Sequence, residues 1–125
     1  MDKKKILVID DEEAFGNMLK MNLEETGRYL VRYEQRSTES LNAAKEFMPD
    51  LVLLDVMMRD MAGPMVAQKI RSDASLHHVP VVFLTAVSAK KEGEMHSDTL
   101  GGHPVISKPV NMSELILRIN GEISK

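Results

Sequence analysis

Pro49-Asp50-Leu51-Val52-Leu53-Leu54-Asp55-Val56-Met57-Met58 decides the fold of this chain. The apolar run from Leu51 to Leu54 is too short for a helix and too uniform for a strand wetted on one face. It reads as a central strand of a parallel sheet with helices on both faces. The run closes in Asp55. Packing gives no reason to end a buried strand with a carboxylate, although Asp also caps turns well. The C-terminal end of a parallel strand is where open α/β sheets place their chemistry. The other strand ends decide between these two readings.

Upstream, Lys5 to Asp10 (KILVID) is a second buried strand ending in acid. Asp11, Glu12 and Glu13 continue the acidic run, and the last two suit a helix N-terminus. Phe15, Met18, Leu19 and Leu23 recur at helical spacing, with Gly27 as a stop. Tyr29 to Glu34 alternates, as an edge strand does. Ser37 or Thr38 is a candidate cap for a second helix carrying Leu41, Ala44, Phe47 and Met48, halted by Pro49.

Downstream, Val56 to Gly63 reads as a Met-rich loop, and Pro64 suits the first turn of a third helix. Val79 to Thr85 is another buried strand, ending in a hydroxyl. A short helix is expected between Ser88 and Ser97, then a turn at Gly101-Gly102 and a last strand from Pro104 to Lys108. Asn111 and Glu114 resemble a capping box for a final helix with Leu115, Ile116, Ile119 and Ile123 inward. The alternation of five strands with five helices calls for a doubly wound α/β sandwich.

With 125 residues, 43% of them hydrophobic and 28% charged, the chain reads as one domain over 1–125. The last predicted helix lies close to the C-terminus, so no second domain is expected. The net charge of −3 argues against a nucleic-acid binder. No apolar run approaches the ~20 residues of a membrane helix. The chain lacks cysteine, and the Lys3-Lys4-Lys5 run precedes too few apolar residues for a signal peptide. A cytoplasmic location is expected. Met18 and Met48, together with the loop methionines, read as packing residues rather than a metal site.

Four strand ends thus carry Asp10 and Asp11, Asp55, Thr85 and Lys108. Converging carboxylates repel one another, and a hard divalent cation such as Mg²⁺ relieves this. Asp55 as nucleophile, Mg²⁺ and Lys108 as charge partners, and the Thr85 hydroxyl as donor are what phosphoryl transfer to a carboxylate requires.

The set Asp10-Asp11, Asp55 in LVLLDVMM, Thr85-Ala86 and Lys108-Pro109 resembles the receiver domain of two-component response regulators, single-domain chemotaxis regulators included. The resemblance spans the whole chain. It implies a flavodoxin-like sheet of order 2-1-3-4-5. It implies that Asp55 accepts a phosphoryl group from a sensor histidine kinase or phosphotransfer protein. Mg²⁺ would be bound by Asp11, Asp55 and the Met57 backbone carbonyl, with Asp10 assisting through water. A cis peptide at Lys108–Pro109 is implied as well. Output would pass through the fourth helix, fifth strand and fifth helix to an unidentified downstream protein, from a monomer or weak homodimer. Such a switch is no enzyme beyond catalysing its own phosphorylation and dephosphorylation.

Two positions depart from the family pattern. Val105 stands where an aromatic residue usually reports phosphorylation, so output would rely on backbone and helix movement. Arg59 stands where the loop after Asp55 commonly has proline, and it reads as a solvated side chain. Met57 and Val87 are apolar and cannot orient an attacking water, which predicts a long-lived phosphoryl group. Two rival readings are weighed against the switch. A haloacid-dehalogenase-type phosphatase would need a second Asp two residues after Asp10, where this chain has Glu12. A receiver-like binding module that is never phosphorylated would have no use for the complete set of acids, Thr and Lys.

Overall fold

The apolar runs form the middle of one sheet in a computed structural model that describes residues 2–86 and 99–125. In chain order the elements are β1 (Lys4–Ile9), α1 (Glu13–Glu25), β2 (Tyr29–Glu34), a 3₁₀ turn (Ser37–Glu39) leading into α2 (Ser40–Phe47), β3 (Leu51–Asp55), α3 (Gly63–Ser72), β4 (Val81–Thr85), β5 (Thr99–Leu100), β6 (His103–Ser107) and α4 (Met112–Ile123). The sheet order is β2-β1-β3-β4-β6-β5. All neighbours are parallel except β5, which pairs antiparallel with β6.

Strand alternation divides the core into two layers. Leu7, Ile9, Val52, Leu54 and Phe83 face Ala43, Ala44, Val66, Ala67 and Ile70 of α2 and α3. Ile6, Val8, Leu51, Leu53, Val82 and Leu84 face Leu19 and Leu23 of α1 and Leu115 and Ile119 of α4. Consecutive residues of one strand therefore serve opposite layers, which is why these runs are apolar without alternation. Each fully buried aliphatic side chain contributes about 1.5–3 kcal/mol.

The parallel part of the sheet has the expected order, with β6 in fifth place, but the expected five strands become six. The addition is a two-residue edge, Thr99–Leu100, folded onto β6 through Gly101 and Gly102 at φ 57° and 84°. Two successive left-handed residues are a turn that glycine makes without steric cost. Four α-helices are described, not five. The helix expected between Ser88 and Ser97, like Val87, lies outside the described residues.

Several boundaries also move. The chain enters α2 through the 3₁₀ turn, and neither Ser37 nor Thr38 caps it by a side-chain bond to the helix. The same helix ends at Phe47 because Met48 turns left-handed at φ 52°, before Pro49 is reached. β4 starts at Val81, since the Val79 amide is spent on the Leu76 carbonyl in the preceding turn. Asn111 caps α4 through Oδ1, which accepts from the Glu114 amide at 3.1 Å. Met18 packs into the core as expected. Met48 is 45% exposed and does not. Among the described residues no helix is long and apolar enough to cross a membrane.

Candidate functional site

Parallel pairing brings the C-terminal ends of β1, β3, β4 and β6 to one edge of the sheet. Asp10 follows β1 by one residue and Lys108 follows β6 by one, while Asp55 and Thr85 are the last residues of β3 and β4. Asp10, Asp55 and Thr85 are all buried. Asp10, Asp11 and Asp55 each place a carboxylate oxygen within 4.8 Å of the others. The three expected acids therefore meet, with Thr85 at the end of the neighbouring strand.

Lys108 is the cation among them. Its Nζ lies 2.8 Å from Asp10 Oδ2, 2.9 Å from Glu12 Oε1 and 3.7 Å from Asp55 Oδ1, and 4.3 Å above the Phe15 ring. The backbone holds this lysine as well: its amide donates to the Thr85 carbonyl at 2.8 Å. The following peptide, Lys108–Pro109, is cis.

Burial governs the protonation of these carboxylates, with their mutual charge adding to it. Burial pushes the Asp55 carboxyl up to about 6, with the neighbouring Asp10 charge adding to the rise and Lys108 opposing it. Burial likewise raises Asp10, against the lowering effect of its bond to Lys108. Burial works against the charge on Lys108 too, but its bonds to Asp10 and Glu12 prevail and raise it. A pocket of oxygen donors with surplus negative charge fits a hard divalent cation.

The loop after β3 closes the site from above. The Met57 amide donates to Asp55 Oδ1 at 3.4 Å, and the Arg59 amide to Asp11 Oδ2 at 3.1 Å. Arg59 Nε reaches Asp11 Oδ2 at 3.6 Å while its side chain stays 86% exposed, so its salt bridge is a surface one. Gly63, at the start of α3, donates its amide to the Val56 carbonyl at 2.9 Å. A Cβ there would collide with the Asp55 carbonyl oxygen. The methionines divide: Met58 and Met61 pack onto the core, whereas Met57 and Met65 are exposed, contrary to a packing role for all of them.

Two contributors escaped the sequence reading. Glu12, taken as a complement to the helix dipole, is a direct partner of Lys108. Tyr33, read as one residue of an alternating edge strand, donates its hydroxyl to the Asp10 carbonyl at 2.6 Å. Burial and the nearby carboxylates push this phenol up to about 12, so it remains a donor at neutral pH.

Comparison with known proteins agrees with this geometry. The family described as the response regulator receiver domain matches residues 6–120. YkoG of Bacillus subtilis, an uncharacterized transcriptional regulatory protein, is 35% identical over 98% of this chain and 52% of its own length. The probable transcriptional regulatory protein TcrX of Mycobacterium tuberculosis is 36% identical over 91% of this chain and 47% of its own. The chain thus spans about half the length of these relatives. It covers 90% of DivK, a polar-differentiation response regulator of Brucella anthropi, at 28% identity over 90% of this chain. In fold it is similar to a crystal structure of a putative response regulator from Chloroflexus aurantiacus, with TM-score 0.84 and 23% identity over 99% of this chain and 100% of that one. The chemotaxis protein CheY4 of Vibrio cholerae superposes with TM-score 0.81 at 22% identity, over 96% of this chain and 98% of that one. The chain belongs to the response regulator receiver domain family, the receiving module of two-component signalling.

Proposed function

We propose that Asp55 is the phosphoacceptor of this receiver. Its carboxylate oxygen attacks the phosphorus of a phosphohistidine on a sensor histidine kinase or phosphotransfer protein. The P–N bond breaks, the imidazole leaves with the electron pair and takes up a proton, and an acyl phosphate remains on Asp55. One observation carries this reading: Asp55 ends β3 almost wholly buried, 3.7 Å from the Lys108 ammonium. In this reading Lys108 offsets charge on the phosphoryl oxygens, and the hydroxyl of Thr85, the last residue of β4, donates to one of them. Bound by Asp11, Asp55 and the Met57 carbonyl, with Asp10 acting through water, Mg²⁺ would supply the remaining positive charge.

The chain acts on itself rather than on a turned-over substrate, and the family assignment leaves no support for the phosphatase reading. Residues 1–125 form one receiver domain working in the cytoplasm as a monomer or weak homodimer. A phosphoryl group on Asp55 draws in Thr85 and Lys108, and the change passes to the surface of β6 and α4, where a downstream protein binds. Val105 is partly buried against the core beside Phe83 and carries no ring to swing. Backbone and helix movement therefore carry the signal. Met57 offers no group that could orient water toward Asp55, which favours a long-lived phosphoryl group.

The test is intact mass after incubation with acetyl phosphate and Mg²⁺, for the wild type beside Asp55→Ala. A Mg²⁺-dependent gain of about 80 Da, absent from the variant, supports the switch. Folded protein that gains nothing at any Mg²⁺ concentration is instead a binding module that is never phosphorylated.

A further inference from the structure

We propose that Tyr33 is a positioning residue for the acidic site: its hydroxyl, with its ring seated where Gly16 leaves room, clamps the Asp10 carbonyl and so sets where the Asp10 and Asp11 carboxylates emerge. This rests on the cation-binding reading given above.

The clamp follows from three features. First, β1 and β2 pair in parallel as far as Ile9 and Glu34, and the Asp10 amide adds one bond to the Glu34 carbonyl at 3.2 Å. Regular pairing stops there. The Asp10 carbonyl is met by a side chain instead, the Tyr33 hydroxyl at 2.6 Å. Both backbone polar groups of Asp10 are thus tied to β2.

Second, space for that ring is provided by α1. A Cβ at position 16 would overlap the Tyr33 ring atoms, so any residue but glycine would displace the ring or the helix. Gly16 is buried in the body of α1, where glycine is a poor helix former by about 1 kcal/mol. Its presence is explained by the aromatic ring it admits.

Third, the peptide held by Tyr33 is the one joining Asp10 to Asp11. On its far side, Asp10 Oδ1 accepts from the Glu12 amide at 2.8 Å and Asp11 Oδ2 from the Arg59 amide at 3.1 Å. Each acid is therefore held by a backbone amide at its carboxylate, and the peptide between them by Tyr33. Releasing the peptide loosens the backbone from which both carboxylates project, although their own contacts to Lys108 and the two amides remain. Partners lying just outside a metal site typically change affinity by about 10–100-fold when removed.

Tyr33→Phe keeps the ring and deletes only the donor. Tyr29→Phe is its control: on the same strand, the Tyr29 hydroxyl donates to Asn120 Oδ1 at 2.6 Å, away from the acidic site. Each variant loses one side-chain hydrogen bond, so a merely structural role makes them equivalent. The measurement is Mg²⁺ affinity by isothermal titration calorimetry at pH 7.5, with urea unfolding run in parallel. The expected result is about tenfold weaker Mg²⁺ binding for Tyr33→Phe and unchanged binding for Tyr29→Phe. Unchanged binding by Tyr33→Phe, or equal weakening by both variants, overturns the proposal while leaving the cation reading intact. A folded wild type that binds no Mg²⁺ overturns both together.

Discussion

Lys108 is shared between a residue of the acidic site and one outside it: its ammonium touches Glu12 at 2.9 Å, closer than Asp55 at 3.7 Å. Glu12 is 61% exposed at its side chain, whereas Lys108 is only 8% exposed. An exposed carboxylate thus joins Asp10, at 2.8 Å, in holding a buried ammonium away from the residue expected to receive the phosphoryl group. Replacing Glu12 with Gln removes the charge but keeps the shape, and leaves Lys108 to be shared between Asp10 and Asp55 alone. Phosphorylation by acetyl phosphate should become about 2–5-fold faster, the effect of roughly 0.4–1 kcal/mol expected of a partly exposed ion pair. A time course of intact mass reads this directly. A slower rate in the variant would mean that Glu12 aims Lys108 rather than detaining it.

The Asp55 carboxyl gives a pH dependence of definite sign. Burial and the Asp10 charge raise it from 3.8 to about 6 in the folded protein. The folded state therefore holds this proton more tightly, and without added cation the Asp55 contribution to stability falls as pH rises from about 4 to about 6. Removing the charge with Asp55→Asn should remove the Asp55 part of that slope and stabilise the metal-free protein at pH 7 by roughly 2–3 kcal/mol. Urea unfolding at pH 4.5 and pH 7 checks it. Mg²⁺ works in the opposite direction, because it needs the ionised carboxylate. The rise in Tm on adding Mg²⁺ should be large at pH 7.5 and small at pH 5.

What could be read in the sequence follows a physical line. Residues 51–54, 6–9 and 81–84 are buried on both faces, so their apolar runs mark the central strands without reference to anything distant. The site was legible for a related reason: a polar residue closing such a run has no packing role, and parallel strands all end on one edge. Glu12 could not be placed, because an acid ahead of a helix has a sufficient local explanation in the dipole. Tyr33 and Gly16 were invisible because neither is unusual alone, and only the packing of α1 on β2 brings them together. Thr99–Leu100 is a two-residue exposed edge, too short to show any period. Met48 turns left-handed with a side chain that does not favour it, so Pro49 looked like the stop.

Gly63 joins the site to the third helix, and enlarging it should damage both. A methyl group there would run into the Asp55 carbonyl oxygen and press on the Val56 Cα at 2.9 Å, which are backbone atoms that cannot rotate away. The helix start and the end of β3 must then separate. Gly63→Ala should cost about 1–3 kcal/mol of stability, the usual effect of overpacking. Mg²⁺ affinity should fall with it, since the loop of Met57 and Arg59 amides lies between β3 and α3. Gly121, with nothing within 4 Å of an added Cβ, is the control, and its replacement by Ala in α4 should leave Mg²⁺ binding unchanged. Denaturant unfolding together with calorimetry of Mg²⁺ binding separates the two effects.

Asp73 provides an acid-range prediction far from the site. It follows α3 directly, where its Oδ1 accepts from the Ser75 amide at 2.9 Å and the Ser75 hydroxyl at 2.6 Å. Its Oδ2 meets Lys45 of α2 at 3.1 Å. The bonds from Ser75 first, then Lys45, lower its carboxyl from 3.8 to about 2. Because the folded value is depressed, the stability it contributes is complete above the unfolded value near 4 and disappears as pH falls through about 2. Asp73→Asn keeps the shape but not the charge. The variant should melt below the wild type at pH 6, and the two should converge as pH approaches 2. Melting curves at pH 6, 4 and 2.5 test it, and a difference that stays constant across that range would show that the Asp73 charge does not contribute.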